Sequence, residues 1–373
     1  MNFDLSPEQQ LLQDSIVRFV QDNYALEQRQ AITSRSPGFS AEHWAQMAEL
    51  GWLALSVAES DGGFGGGLVD TMLLMEQFGK GLVVEPYLAS IVLGGTALAA
   101  GSEGLRGELM PKMIDGSAQL ALAYAEEQAR FDLHDVATIA KAEGDQFVVS
   151  GTKSMVSNAK SASHIIVSAR TANGQLDRNG ITLLLIAADA EGVKIHDFPT
   201  VDGGQAAEVE LTEVRVSEDY ILGRLDQGLE LLERAVMHGI LAVCAEAVGA
   251  MEVLYKDTVA YTQEREQFDH PLSDFQVIQH RLVDMFMEYE QCKSLLYRAT
   301  LEAQQGGLDA MRTVHALKYM IGETGVRIGE EAVQLHGGMG MTEELRIGHY
   351  FKRLLVIDAQ FGNADHHLQL FAA

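Results

Sequence analysis

The strongest constraint on this chain is a change of period in its middle. Up to about residue 115, apolar side chains recur at helical spacing. Between residues 146 and 211 they alternate or run in short blocks, and after Gly223 the helical period returns. Gln146-Phe147-Val148-Val149-Ser150-Gly151 reads as a short strand closing in a turn. Ser163–Ala169 and Gly180–Ile186 read as further strands, and Ala207–Leu211 alternates as a half-buried strand should. Asn173-Gly174 and Asp202-Gly203-Gly204 supply turns. The expectation is a mainly α chain with a central β domain: an N-terminal all-helical domain at 1–115, a middle β domain at 116–224 and a C-terminal helical domain at 225–373.

The helical parts carry their own punctuation. Ser6-Pro7-Glu8-Gln9 is a helix start, with a hydroxyl cap, proline in the first turn and then an acidic residue. Leu11, Leu12, Ile16, Phe19 and Val20 follow at helical spacing. Ala41–Leu50 and Val69–Phe78 are helical segments on either side of the glycine-rich Asp61–Gly67. That run has the look of a phosphate cradle, but no strand precedes it and no lysine follows, so it reads as a loop. Leu229–Tyr261, Phe275–Gln304 and Leu308–Leu335 predict three long helices.

A net charge of −26 argues against nucleic acid or an anionic membrane as partner, because both demand basic surface. A phosphate-bearing cofactor remains compatible, since it needs only local amides and a few cations. With 47% hydrophobic residues, disorder is not a serious reading. Cys244 and Cys292, the two cysteines, sit in apolar helical patterns and read as buried thiols in a reducing compartment rather than as a disulfide or metal site. Met1–Pro7 lacks the basic and apolar stretches of a signal peptide, and no apolar run reads as long enough to span a membrane. A cytoplasmic location is expected.

The run Gln334-Leu335-His336-Gly337-Gly338-Met339-Gly340-Met341-Thr342-Glu343-Glu344 puts glycines where backbone must come close to something. It resembles the Q-x-H-G-G-x-G-x-T-E-E signature of acyl-CoA dehydrogenases, and the resemblance extends over essentially the whole chain. It implies the helix–sheet–helix fold, FAD as cofactor and α,β-dehydrogenation of an acyl-CoA thioester, with electrons passed to an electron-transfer flavoprotein. By the same resemblance, Gln334, Gly337 and Gly338 lie against the adenosine diphosphate half of an FAD held by a neighbouring subunit. Arg265-Glu266-Gln267-Phe268 followed by Phe275-Gln276 is similar to the family's R-x-x-F and F-Q elements. Arg265 is then expected at the pyrophosphate, Phe268 at the adenine and Gln276 nearby, although Asp269 replaces the usual glycine. A solvated arginine at a capped helix turn is the plain structural alternative. Lys153-Ser154-Met155-Val156-Ser157-Asn158 resembles K-x-W-I-T/S-N, which implies a flavin contact for Ser157; Met155 stands where the family has tryptophan. The alternative is a strand of ordinary surface polarity.

Two family elements are missing. In place of T-E-P-x-x-G-S-D the chain has Ala125-Glu126-Glu127-Gln128-Ala129-Arg130-Phe131-Asp132, with only Glu126 and Asp132 matching. Where the family carries a catalytic glutamate near the C-terminus, Gln360 or Phe361 stands, and neither removes a proton at neutral pH. Some members carry the base on the helix after the β domain, at the place of Gly239. Seven residues on, and so on the same face, is Glu246 among apolar neighbours. A lone carboxylate there would have a raised pKa and suit a base. A core glutamate paired with an arginine from another element, or one at an interface, is the alternative. His366-His367 gives a weak metal idea, since adjacent histidines near a terminus are usually solvated. The elements kept are those the family donates to a neighbour, which points to one subunit of a hetero-oligomer paired with a homologous dehydrogenase subunit. A homo-oligomer using Glu246 and a non-catalytic scaffold or acyl-CoA binder of the same fold are the rival readings.

Overall fold

A computed structural model describes residues 5–306 and 309–373. The expectations on Met1–Asp4 and on a helix start at Leu308 lie outside the described residues. Helices α1 (Pro7–Asn23), α2 (Leu26–Thr33), α3 (Ala41–Glu49) and α4 (Leu68–Gly81) come first. A π-helical run (Leu88–Gly95), α5 (Thr96–Leu98) and α6 (Glu103–Ile114) follow. Strands β1 (Leu120–Ala123), β2 (Ile139–Glu143), β3 (Gln146–Ser157), β4 (His164–Arg170), β5 (Ile181–Ala187), β6 (Val193–Pro199), β7 (Gln205–Ser217) and β8 (Ile221–Leu222) make the middle. Then come α7 (Gly228–Glu264), a hairpin of β9 (Glu266–Gln267) and β10 (His270–Pro271), α8 (Gln276–Gln305), α9 (Ala310–His336), a 3-10 turn (Gly337–Met341), α10 (Ile347–Ala359) and α11 (Ala364–Ala372). The chain is mainly helical around a central run of strands, as the change of period predicts.

Two compact units arise from discontinuous stretches. A bundle unit takes the described residues up to Ala31, with Gly67–Val83 and Ile240–Ala373; a sheet unit takes Ile32–Gly66 and Val84–Gly239. In the sheet unit the strands run β6-β7-β3-β2-β4-β5-β8, with β1 parallel on β4. Val149, Val156, Ile165, Val167, Leu184, Ile186, Val209 and Leu211 form its core. One expectation is corrected here: Gly151 does not close a turn. Strand β3 runs through it, with a register shift between Val149 and Gly151. Its φ of +156° and the presence of Thr138 where a Cβ would stand make glycine the residue that lets the strand continue.

In the bundle unit, α1 begins on a capping box, with Gln9 N donating to Ser6 Oγ at 3.2 Å and Ser6 N donating to Gln9 Oε1 at 3.1 Å. Helices α4 and α7 cross at two glycines. A Cβ on Gly79 would run into the Glu246 carbonyl, and one on Gly249 into the Glu76 carbonyl. A second expectation also needs correcting, because α7 is long and apolar enough to cross a membrane. Its apolar window is 78% buried within the fold, which is how the core helix of a folded domain reads.

Candidate functional site

In the bundle unit, the ends of α7 and α9 lie side by side. The buried His336 ring stacks on Tyr261, with centroids 4.3 Å apart, and its Nδ1 lies 2.7 Å from the Ala332 carbonyl. Just beyond, Gly337 adopts φ 59° and ψ −139°, a region essentially closed to residues with a Cβ. The turn that follows is fixed from behind. Thr342 Oγ1 donates to the Met339 carbonyl at 2.9 Å, and Lys352 Nζ meets Glu343 at 2.6 Å. Yet a Cβ on Gly337 or Gly338 would meet nothing within 4 Å, and both glycines and Gln334 are exposed. Held backbone facing open space at a glycine pair is the geometry of a surface that something else approaches.

Arg265 stands one turn past Tyr261, exposed at the end of α7. No ion pair engages it among the described residues. The hairpin after it turns through Phe268 (φ 57°) and Asp269 (φ 66°), two consecutive left-handed residues, as its tight tip requires. Phe268 is 85% exposed, with its ring edge-to-face with Phe275 at a centroid distance of 6.3 Å. Gln276 opens α8 and is exposed. An unengaged guanidinium, a bare aromatic ring and open glycine amides suit the phosphate and ring of a dinucleotide. These residues of the bundle unit fit the adenosine diphosphate half of FAD.

The sheet unit differs. Ser157 is half-buried at the end of β3, paired with Ala206, and Met155 stands 59% exposed with φ 52° where the resemblance leads one to expect a tryptophan wall. Lys153 is fully buried rather than part of a polar strand surface. Its Nζ reaches Glu126 Oε1 at 2.6 Å, Ser168 Oγ at 2.9 Å and the Tyr124 carbonyl at 3.4 Å. Glu126 also accepts from the backbone N–H groups of Ala137 (2.8 Å) and Thr138 (3.1 Å) and from Gln128 Nε2 (2.8 Å). Burial raises the Glu126 pKa, but the Lys153 charge and these donors outweigh it and hold the carboxyl at about 2. The matched glutamate of the altered loop is thus spent on fastening the loop to β3. Asp132, the other match, lies 2.9 Å from His134 Nδ1. The loop lacks the hydroxyls and glycine that would turn towards a flavin.

Glu246 is buried, as its apolar surroundings predict, but it is not alone. Arg353 of α10 grips it with both prongs, Nε to Oε1 at 2.6 Å and Nη2 to Oε2 at 2.7 Å. This is the paired core glutamate of the alternative reading. Both carboxylate oxygens are engaged by the guanidinium, and a fork of this kind occupies the lone pairs a base would use.

Asp61–Gly67 is a loop whose amides are used internally: Phe64 donates to the Ala54 carbonyl, Gly65 to Val57 and Gly66 to Leu55, at 2.8–3.0 Å. Cys244 and Cys292 are buried free thiols, each pushed up to about 12 by burial. Among the described residues no group of three or more His, Cys, Asp or Glu could hold a metal. His367, expected to be solvated, is 1% exposed and has both ring nitrogens engaged.

Three family models match in tandem: acyl-CoA dehydrogenase N-terminal domain at residues 6–117, middle domain at 121–216 and C-terminal domain at 226–373. The chain belongs to the acyl-CoA dehydrogenase family. It is 28% identical to the probable acyl-CoA dehydrogenase YngJ of Bacillus subtilis, over 98% of this chain and 97% of that one. Among solved structures it is similar to a variant of the Tcur3481-Tcur3483 steroid ACAD, with 27% identity, TM-score 0.88 and 98% and 96% of the two chains covered. It is also similar to the FAD complex of PigA, with 25% identity, TM-score 0.91 and 100% and 98% covered. The family's cofactor is FAD.

Proposed function

We propose that this chain takes part in FAD-dependent α,β-dehydrogenation of an acyl-CoA thioester, as one subunit of a hetero-oligomeric dehydrogenase. Its partner is a homologous subunit that carries the base and the flavin-facing loop this chain lacks. One observation carries the reading: Arg265, Phe268, Gln276, Gln334, Gly337 and Gly338 all stand exposed on fixed backbone of the bundle unit, whereas the loop at 125–132 is tied inward by Glu126. The likeness to a structure named for two proteins supports it.

FAD, when bound, supplies the hydride acceptor. This chain's residues would bind and orient it: Arg265 would hold the pyrophosphate, Phe268 would pack by the adenine, and the Gly337–Gly338 backbone would allow close approach. Ser157, half-buried at the end of β3, would offer its hydroxyl to the flavin once the partner completes the site. The electrons pass on to an electron-transfer flavoprotein, in the cytoplasm. Arg265→Ala in the purified assembly tests the assignment. A charged hydrogen bond to phosphate is worth about 1.5–3 kcal/mol, so FAD affinity should fall by about 10- to 100-fold while the assembly persists. Unchanged FAD retention would remove Arg265 from the cofactor site.

The second reading, a non-catalytic acyl-CoA-binding or scaffold protein of this fold, is favoured by the Arg353 grip on Glu246. Flavin absent from every complex the chain forms would decide for it.

A further inference from the structure

Strand β3 changes phase near its end. Its inward side chains are Phe147, Val149 and Lys153, so in a regular strand Met155 would be buried next and Val156 would face out. The reverse is seen: Met155 is 59% exposed and Val156 is buried. The pairing with β7 shows why. Lys153 stands opposite Val209 and Val156 opposite Ala207, so β3 carries one extra residue between them, a bulge. Met155 sits in it in the left-handed region (φ 52°), which a bulky side chain avoids. Beyond the bulge, Ser157 shares the face of Met155 rather than that of Val156.

The bulge is held from outside the ladder. Ser154, inside it, has no register partner on β7 and donates its backbone N–H to the Ala125 carbonyl at 2.9 Å. The fully buried Lys153 reaches the Tyr124 carbonyl at 3.4 Å and Glu126 Oε1 at 2.6 Å. Tyr124, Ala125 and Glu126 are thus stapled to Lys153 and Ser154, and the staple draws β3 away from β7 where the extra residue stands. A buried ion pair seldom stabilises a core more than apolar side chains of the same volume would, so fixed geometry is the better account of this one.

Resting on the function proposed above, we propose that Lys153 is a positioning residue for the flavin. With Glu126 it holds β3 in the bulged phase, which turns Met155 and the Ser157 hydroxyl outward on one face. In the unbulged phase both would face the core, and Val156 would stand outside in their place. The loop at 125–132, which lacks the hydroxyls and glycine for a flavin contact of its own, acts on the cofactor through β3.

The test compares the parent with a Lys153→Leu, Glu126→Gln double variant, which removes both charges and leaves a carbonyl to accept the Ala137 and Thr138 N–H groups. Oxidation by dilute hydrogen peroxide, followed by peptide mass spectrometry on the chain alone, reads the bulge. Met155 should oxidise readily in the parent and as slowly as the buried Met251 and Met285 in the double variant. In the assembly with the partner subunit, FAD affinity by fluorescence titration should fall about tenfold, the size of one hydrogen bond, at an unchanged melting temperature. Parent-like oxidation of Met155 in the double variant would overturn the proposal, and so would parent-like FAD affinity. A merely structural pair would lower the melting temperature and leave both readouts unmoved. Hydrogen exchange on the parent needs no variant: the Ser154 amide should be protected, and exchange as fast as that of an open loop would also overturn the proposal. A parent assembly without flavin would sink the function proposed above and this proposal with it. Parent flavin bands with unmoved FAD affinity in the variant would sink this proposal alone.

Discussion

At the scale of single residues, the Glu246–Arg353 pair decides most. Both side chains are largely removed from water, and breaking such a pair from one side typically costs about 3–5 kcal/mol. Glu246→Gln is therefore expected to lower unfolding free energy by about that amount in urea titration, while turnover per folded assembly stays at the parent level. Turnover abolished at unchanged stability would restore Glu246 as a base. The pair was illegible in the sequence for a physical reason. Helical spacing reveals the neighbours of Glu246 on its own helix, all apolar, whereas its partner lies 107 positions away on α10. Lys153 hid in the same way, since its buried partner Glu126 comes from a loop on the far side of β2. Gly337 was legible because its requirement is local: a backbone conformation that only glycine adopts can be read from the glycine itself.

At the scale of elements, long periodic segments were readable. The predicted Leu229–Tyr261 and Phe275–Gln304 correspond to α7 and α8 within a few residues, because an apolar stripe repeated over many turns leaves little choice. Short strands were not. Strand β2 shows one buried residue in five, and β6 is an edge strand carrying lysine, histidine, aspartate and proline, so neither has the apolar alternation that marks a strand. The α10–α11 turn was likewise invisible, because Lys318 and His367, which hold it by its carbonyls, come from two different helices. That turn has a pH signature. Burial first, and then the Lys318 charge, hold the His367 pKa down at about 3. The unfolded chain, with ordinary imidazoles near 6.5, takes up this proton earlier as the pH falls. The contribution is whole above pH 6.5 and is lost progressively as pH falls towards 3. Urea midpoints measured from pH 7.5 to 4 should therefore fall less steeply in His367→Asn than in the parent. Parallel slopes would show that His367 titrates as freely in the fold as out of it.

At the scale of the molecule, the bundle unit carries a row of bare apolar side chains: Phe268 on the hairpin, then Val277, Val283, Phe286 and Met287 along α8, from 42% to 85% exposed. On the reading proposed above, this row on one helix and its preceding hairpin is where the partner subunit docks. It is continuous in sequence with Arg265 and Gln276, the residues assigned to a neighbour's cofactor. A charge of −26 keeps the free chain in solution but offers no cover for that row. On the reading proposed above, complete flavin sites form only when a homologous partner subunit is present. The direct measurement is the visible absorption spectrum of this chain purified alone and then co-purified with the product of an adjacent dehydrogenase-like gene. Flavin bands are expected in the mixture and none in the chain alone. Flavin bands of full intensity in the chain alone would contradict the claim.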